Sequence, residues 1–192
     1  MKKALIFMAN GFEEIEALTV YDILTRAEVK AELCSIEKGN QVQGAHGLIA
    51  LTPIHINDVK DFDEYDILIT PGGLPGSTNL RDDDRVIKAF QSFFGKQDKY
   101  LANICASGIV LDRAGIAQQI AGTCYPAFKT EINYKEHHDE LVVMDKNVIT
   151  SQGPATAIYF ALKIVEVLCG KMRAEQIHND TLLFLVEENA RK

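Results

Sequence analysis

The residues best suited to chemistry are a cysteine and a glutamate, each placed where a predicted strand gives way to a helix. Cys105 follows the apolar run 101–104 and precedes a turn of small residues, 106–108. A strand, a nucleophile, a tight turn and a helix in this order form a nucleophile elbow. Because a helix N-terminus favours a thiolate, the pattern predicts a reactive thiol at the carboxyl edge of a sheet. The alternative is an inert, buried cysteine that only ends a core strand.

Glu16 is the second candidate, because it lies among apolar neighbours at the start of the first predicted helix. Glu13 and Glu14 precede it, and acidic residues in a first helical turn commonly do no more than complement the helix dipole. A carboxyl turned toward a crevice, in contrast, can stay protonated through desolvation and donate a hydrogen bond to a thiolate. We therefore expect Glu16 and Cys105 to titrate as a coupled pair.

A third segment, residues 71–76, is rich in glycine and proline and follows another predicted strand. Glycine permits close backbone approach, so the N–H groups of Gly72 and Gly73 could form an oxyanion hole. An ordinary strand-to-helix loop is the alternative. The segment lacks the Gly-Lys-Ser/Thr ending of a phosphate-binding loop.

The rest of the chain predicts a fold that brings these three segments together. Apolar runs indicate strands at 3–9, 31–36, 67–70, 101–104, 141–145 and 148–151, and helical patterns cover 14–27, 85–94, 126–134 and 155–168. Buried strands that alternate with helices predict a doubly wound α/β fold, with a mostly parallel sheet and helices on both faces. The ligand crevice of such a sheet lies at the carboxyl ends of its strands. Residues 1–192 show no repeat or linker and are predicted to form one domain.

Net charge, hydropathy and residue spacing exclude several classes of partner. Its 192 residues carry a net charge of −7, without the basic face that nucleic-acid binding requires. No segment approaches the roughly 20 consecutive apolar residues of a membrane helix. The four cysteines are widely spaced and form no CxxC pair, and His137 and His138 have no third ligand at a diagnostic spacing. We therefore predict no metal, no cofactor and a cytoplasmic location.

Four segments together resemble the ThiJ/PfpI superfamily, in the branch of the Parkinson-linked redox cysteine protein and the bacterial YajL-like proteins. They are residues 11–16 (GFEEIE), 66–73 (DILITPGG), 104–106 (ICA) and 150–154 (TSQGP). The resemblance implies a flavodoxin-like domain that forms a homodimer. It also places the family's reactive cysteine on Cys105, its glutamate partner on Glu16, and its oxyanion amides on Gly73 and Ala106.

The activity that this resemblance implies is that of a glutathione-independent glyoxalase (glyoxalase III) or protein deglycase. Methylglyoxal, or its early adducts on proteins, would be converted to lactate, and the cysteine would be sensitive to peroxide. The expected partners are thus small reactive carbonyl compounds or glycated proteins. One alternative is a redox sensor or stress-protective chaperone without substantial turnover. A relative labelled for thiamine biosynthesis or amidase chemistry is disfavoured, since no residue pattern indicates a thiazole or nucleotide pocket.

Three positions depart from patterns found in the superfamily. Ala106 stands where the protease-like branch has a histidine next to the cysteine, which argues against peptidase chemistry. Tyr125 stands where the Parkinson-linked protein has a histidine. His46 stands where the family often has an arginine, and its charge would depend on pH. We consider His46 and Tyr125 candidates for substrate binding or for contact across a dimer; an exposed turn residue is the alternative for His46.

Overall fold

The computed structural model describes residues 1–191 as alternating strands and helices. The strands are β1 (Lys3–Met8), β2 (Lys30–Ser35), β3 (Gln41–Gln43), β4 (Ile49–Leu51), β5 (Ile54–His55), β6 (Ile67–Thr70), β7 (Tyr100–Ile104), β8 (Ala121–Gly122), β9 (Glu136–His137), β10 (Val142–Asp145) and β11 (Val148–Ser151). The helices are α1 (Glu14–Arg26), α2 (Gly76–Asp82), α3 (Asp84–Phe93), α4 (Gly108–Arg113), α5 (Ala157–Cys169), α6 (Lys171–Asp180) and α7 (Leu183–Ala190). Within this part of the chain, no helix has the length and apolar character needed to cross a membrane.

The predicted α/β fold is confirmed. A sheet of seven strands has the order β10-β11-β7-β6-β1-β2-β5, and its neighbours are parallel except for β10 and β11. Strand β1 lies inside the sheet, between β6 and β2, and successive side chains of a strand point to opposite faces. Ile6 therefore packs on the side of α1 and α5, whereas Phe7 packs on the side of α3 and α4. Both faces are covered, which explains the continuous apolar run in this strand.

Strand order brings the three candidate segments to one edge of the sheet. From β1 the chain continues to β2 on one side, and β6 and β7 follow on the other. The carboxyl ends of β1 and β6 thus mark the switch in strand order, where a crevice opens. Hydrogen bonds join the loops that follow these two strands: Glu13 N donates to Gly72 O (2.9 Å) and Gly76 N to Gly11 O (3.2 Å).

The helix predicted at 126–134 is wrong. Only the turn Pro126–Phe128 is helical, of the 3₁₀ type. The last amides of the predicted helix are bonded in other ways, since Asn133 N donates to Asp112 Oδ1 at 3.0 Å. Tyr134 N donates to Ile132 O, also at 3.0 Å. Tertiary contacts thus override the local apolar pattern.

Helices α2, α6 and α7 were absent from the sequence prediction. The short helix α2 begins at Gly76, inside the glycine- and proline-rich segment. Helix α6 buries only Ile177 among its residues, and α7 only Leu183. With so few buried positions, neither helix produces the apolar periodicity on which a sequence-based prediction depends.

Candidate active site

Cys105 occupies a sharp turn at the carboxyl end of β7. Its φ of +64° is uncommon for a residue with a side chain, and it begins the single turn Cys105–Ser107 that leads into α4. Its carbonyl accepts a hydrogen bond from Tyr125 N at 3.3 Å. The residue is partly exposed, unlike the fully buried residue Ile104 before it. This is the geometry of a nucleophile elbow.

Glu16 is fully buried in the first turns of α1. Its Oε2 accepts a hydrogen bond of 2.6 Å from Gly72 N, whereas its buried Oε1 has no partner with hydrogen-bond geometry among the described residues. A methyl group on Gly72 would lie 2.5 Å from Glu16 Oε2, 2.7 Å from Cys105 Cβ and 3.1 Å from Cys105 Sγ. The carboxyl and the thiol thus meet over Gly72, where only glycine leaves room for both.

Burial raises the pKa of Glu16 from 4.5 to about 7. The Cys105 thiol and the Gly72 amide oppose this rise, since both favour the carboxylate, and the charge of Glu13 adds to it. A carboxyl group with a pKa near neutral pH can both accept and donate a proton during a reaction.

Burial also raises the pKa of the Cys105 thiol above its ordinary value, and an ionised Glu16 raises it further. The backbone amides of Ala106 and Gly73 lower it, but these effects are smaller. The expected helix-terminus effect is therefore present but outweighed by desolvation. The position of the thiol alone therefore does not favour its ionisation, and the Glu16 carboxyl beside it is a group that could accept its proton.

The amides of Gly73 and Ala106 approach the sulfur from two different loops. Gly73 has a φ of +90°, and any side chain there would overlap Glu13 N and Gly11 O. Its conformation therefore requires glycine. Two fixed N–H donors beside a nucleophile are suited to stabilise an oxyanion formed on a carbonyl carbon that the sulfur attacks.

Comparison with known proteins places this arrangement in a family. The sequence profile of the DJ-1/PfpI family matches residues 2–167. The chain belongs to this family. Protein dj-1beta of Drosophila melanogaster is 34% identical over 187 residues, which cover 95% of this chain and 97% of the relative. The resemblance seen in the four sequence segments is thereby confirmed.

Two further DJ-1 proteins bear on function and fold. A Schizosaccharomyces pombe relative, named glutathione-independent glyoxalase DJ-1, is 29% identical over 188 residues, covering 93% of this chain and 97% of the relative. The structure of oxidized Toxoplasma gondii DJ-1 superimposes with a TM-score of 0.89 at 33% identity, covering 95% of this chain and 98% of the other. This likeness confirms the flavodoxin-like arrangement.

Tyr125 lies directly beside Cys105 in this DJ-1/PfpI protein. Its backbone N–H bonds to Cys105 O, and its ring borders Gly153, whose added Cβ would lie 3.3 Å from Tyr125 Cδ2. The side chain is 45% exposed, so it can contact a substrate that enters from solvent.

His46 lies between β3 and β4 and contacts the acidic residues at the start of α1. Its Nδ1 is 2.7 Å from Glu14 Oε2 and 3.7 Å from Glu13 Oε2, and its ring is 72% exposed. The hydrogen bond with Glu14 raises the pKa of His46. These donor atoms lie within 4.8 Å of one another, a spacing that a metal ion could bridge. The ion pair already accounts for the cluster, and contact of His46 with a partner subunit stays a prediction.

The other chemically active side chains lie outside the site. Cys124 is buried in the core on the α3 and α4 side of the sheet, where desolvation raises its pKa to about 11. His137 pairs with Asp139 (3.1 Å) and His138 with Glu136 (3.3 Å). A groove of about 750 Å³ between α5, α6 and the start of β10 contains neither Cys105 nor Glu16.

Three buried polar residues beneath the elbow were not anticipated from the sequence. Thr70, Asn103 and Ser107 are at most 1% exposed, and they hydrogen-bond to one another across the ends of β6 and β7. The signal that could have found them is the appearance of polar residues at the ends of two otherwise apolar strands.

Proposed function

We propose that this protein is a cysteine-dependent, glutathione-independent glyoxalase that converts methylglyoxal or a similar 2-oxoaldehyde to the 2-hydroxy acid. The observation that carries the proposal is the convergence of the Cys105 thiol, the buried Glu16 carboxyl and the Gly73 and Ala106 amides. The name of the Schizosaccharomyces pombe relative supports the same reaction class.

The first step is addition of the thiol to the aldehyde. Glu16, ionised in about half of the molecules near its pKa of about 7, accepts the thiol proton as the sulfur bonds to the aldehyde carbon. The carbonyl electron pair moves to oxygen, where the Gly73 and Ala106 amides stabilise the alkoxide. Glu16 then returns the proton to that oxygen, which gives a neutral hemithioacetal.

The second step moves hydrogen within the bound substrate. Glu16 removes the proton from the former aldehyde carbon, and the electron pair forms an enediolate with the neighbouring ketone carbon. Glu16 returns the proton to that carbon while the hydroxyl proton on the former aldehyde carbon moves to the neighbouring oxygen, which leaves a 2-hydroxyacyl thioester on Cys105. Water then cleaves the carbon–sulfur bond, releasing the 2-hydroxy acid and restoring the thiol, so that the net reaction consumes one aldehyde and one water. No oxidant or cofactor is required.

Lactate formation from methylglyoxal without glutathione tests the proposal. We expect the wild-type protein and Cys169→Ser to be equally active, because Cys169 is an exposed cysteine at the end of α5. Cys105→Ser and Glu16→Gln should lose most of this activity. Equal rates in all four proteins would show that lactate formation depends on neither Cys105 nor Glu16 and would rule the proposal out.

Deglycation would use the same chemistry on a larger substrate. An early adduct of methylglyoxal on an amine is a hemiaminal, and attack by Cys105 on its carbon releases the amine and gives the same hemithioacetal. A peptide carrying this adduct, assayed while a scavenger removes free methylglyoxal, separates the two activities. Lactate produced despite the scavenger supports deglycation; lactate lost in parallel with free methylglyoxal contradicts it.

A redox or stress-protective role is the second candidate, favoured by a partly exposed thiol beside proton-donating groups. Amides and a protonated carboxyl that stabilise an alkoxide would also stabilise a sulfinate on Cys105. Mass spectrometry after mild peroxide should find Cys105 oxidised before the buried cysteines Cys34 and Cys124 and before the exposed Cys169. Equal oxidation of all four would exclude a selective sensor.

We further propose a homodimer in the cytoplasm, with no nucleic-acid or membrane partner. Exposed apolar side chains on α1 and on the β3–β4 hairpin support an interface there: Ile15 (54% exposed), Leu18 (37%), Tyr21 (38%), Ile49 (63%) and Leu51 (71%). Light scattering should give a dimer mass for the wild type and a monomer for Ile49→Glu. A monomeric wild type would contradict the dimer.

A further inference from the structure

Three buried polar side chains lie beneath the turn that carries Cys105. Thr70, Asn103 and Ser107 are 0%, 1% and 0% exposed, and none of them has a part in the proposed reaction. Burial of polar groups is unfavourable unless hydrogen bonds replace those made to water. Their arrangement around Cys105 suggests what these bonds achieve.

Thr70 and Asn103 are direct partners in the register of β6 and β7. Asn103 Nδ2 donates to Thr70 Oγ1 at 2.5 Å and to Ser107 O at 3.3 Å. The amide thus joins the last residue of β6 to the turn that follows β7.

Ser107 closes the elbow with its hydroxyl group. Its Oγ accepts a hydrogen bond from Ile104 N at 3.1 Å and lies 2.8 Å from Ile104 O and 2.9 Å from Thr70 O. Its single hydrogen can serve either carbonyl oxygen. The hydroxyl therefore joins the residues on both sides of Cys105 to the end of β6.

These bonds connect the two halves of the active site. Thr70 leads directly into the loop that carries Gly72 and Gly73, and Ile104 leads directly into Cys105. Cys105 holds a φ of +64°, a conformation that persists only when surrounding contacts enforce it. A shift of β6 against β7 would move the Gly73 amide away from the sulfur.

We propose that Ser107, supported by Thr70 and Asn103, is a positioning residue that holds the Cys105 sulfur against the Gly73 amide and the Glu16 carboxyl. Its effect on turnover rests on the proposed glyoxalase function. Its effect on thiol reactivity does not, because an alkylating reagent reports on the sulfur whether or not the protein turns over methylglyoxal.

The test compares Ser107→Ala with Ser77→Ala in a Cys169→Ser background. Both serines are 0% exposed, but Ser77 Oγ has no hydrogen-bond partner among the described residues. Alkylation of Cys105 is followed against pH by peptide mass spectrometry. We expect Ser107→Ala to slow alkylation of Cys105 near neutral pH about tenfold, which is less than the rate loss caused by removal of an oxyanion donor. The midpoint of the alkylation profile should move to higher pH. Ser77→Ala should match the background protein.

Thr70→Val provides a second variant, because it removes the hydroxyl that accepts from Asn103 without touching Ser107. We expect the same upward shift, smaller in size, and a fall in kcat for methylglyoxal with KM nearly unchanged. An unchanged alkylation profile in both variants, even with a lower Tm, would overturn the proposal. So would an equal shift in Ser77→Ala, because it would indicate general loosening. Absence of turnover in the wild type would overturn the glyoxalase function alone.

Discussion

Glu14 and Glu16 lie two positions apart on α1, yet they occupy opposite electrostatic environments. Glu14 faces His46, and hydrogen bonds from that residue lower the pKa of Glu14 despite partial burial. Glu16 faces Cys105, and burial raises its pKa to about 7. Identical side chains on one helix thus have pKa values shifted in opposite directions, because Glu14 accepts hydrogen bonds from His46 whereas Glu16 is buried against a thiol.

The two glutamates therefore serve different purposes: Glu14 forms a structural contact, and Glu16 takes part in the proposed reaction. The Glu14–His46 pair is a surface ion pair that joins the β3–β4 region to α1, and such pairs contribute little to stability. The Glu16–Cys105 pair is unfavourable when both groups are ionised. The proposed reaction uses the proton that Glu16 gains and loses near neutral pH.

Glu16→Gln should impair the reactivity of the Cys105 thiol strongly, whereas Glu14→Gln should leave it unchanged. The Glu16 variant loses the proton acceptor, so lactate formation should fall by about a hundredfold to ten-thousandfold, the range for a general acid–base group. In wild type, alkylation of Cys105 should rise with a midpoint near the Glu16 pKa of about 7. In Glu16→Gln it should rise only above the ordinary pKa of cysteine. A similar loss of activity in Glu14→Gln would contradict the different roles assigned to the two glutamates, since Glu14 lies outside the site.

Gly72→Ala would insert a methyl group between the buried pair. That group would lie 2.5 Å from Glu16 Oε2 and 2.7 Å from Cys105 Cβ, so the two side chains must separate. We expect a loss of about 1–3 kcal/mol in the free energy of unfolding from overpacking, with a larger proportional loss of lactate formation. Gly39→Ala is the matched control, because its added methyl meets no atom within 4 Å. A fully active Gly72→Ala protein would show that the pair need not touch.

The pH dependence of the free energy of unfolding should report the titration of Glu16. A carboxyl with a pKa raised on folding binds its proton more tightly in the native state, so its contribution is greatest below 4.5 and declines as pH rises to about 7. The decline is at most about 3 kcal/mol, from roughly 1.4 kcal/mol per pKa unit. Urea unfolding at about pH 5 and about pH 8 measures it. Glu16→Gln should show a shallower decline; an identical slope would place the titration in another group.

The fold and the site were predictable from the sequence to different degrees. Cys105, Glu16 and the glycine-rich loop follow strands whose carboxyl ends must meet, so the geometry of the site follows from the topology. The protonation of the pair was not predictable, because the helix terminus and burial act in opposite directions on Cys105 and only coordinates show which is larger. The support from Ser107 also depends on a bond to Thr70 O, which no local pattern encodes.

His46→Ala should have the smallest effect, confined to stability. A histidine whose pKa is raised on folding stabilises the protein fully below its ordinary value of 6.5, and this contribution is lost as pH rises through the raised value. The variant should therefore have a lower Tm than wild type in mildly acidic buffer and an equal Tm in alkaline buffer. Glu14→Gln should lose about as much, and the double variant no more than either, because all three remove one interaction. A Tm loss of equal size in both buffers would show that His46 acts through packing rather than charge.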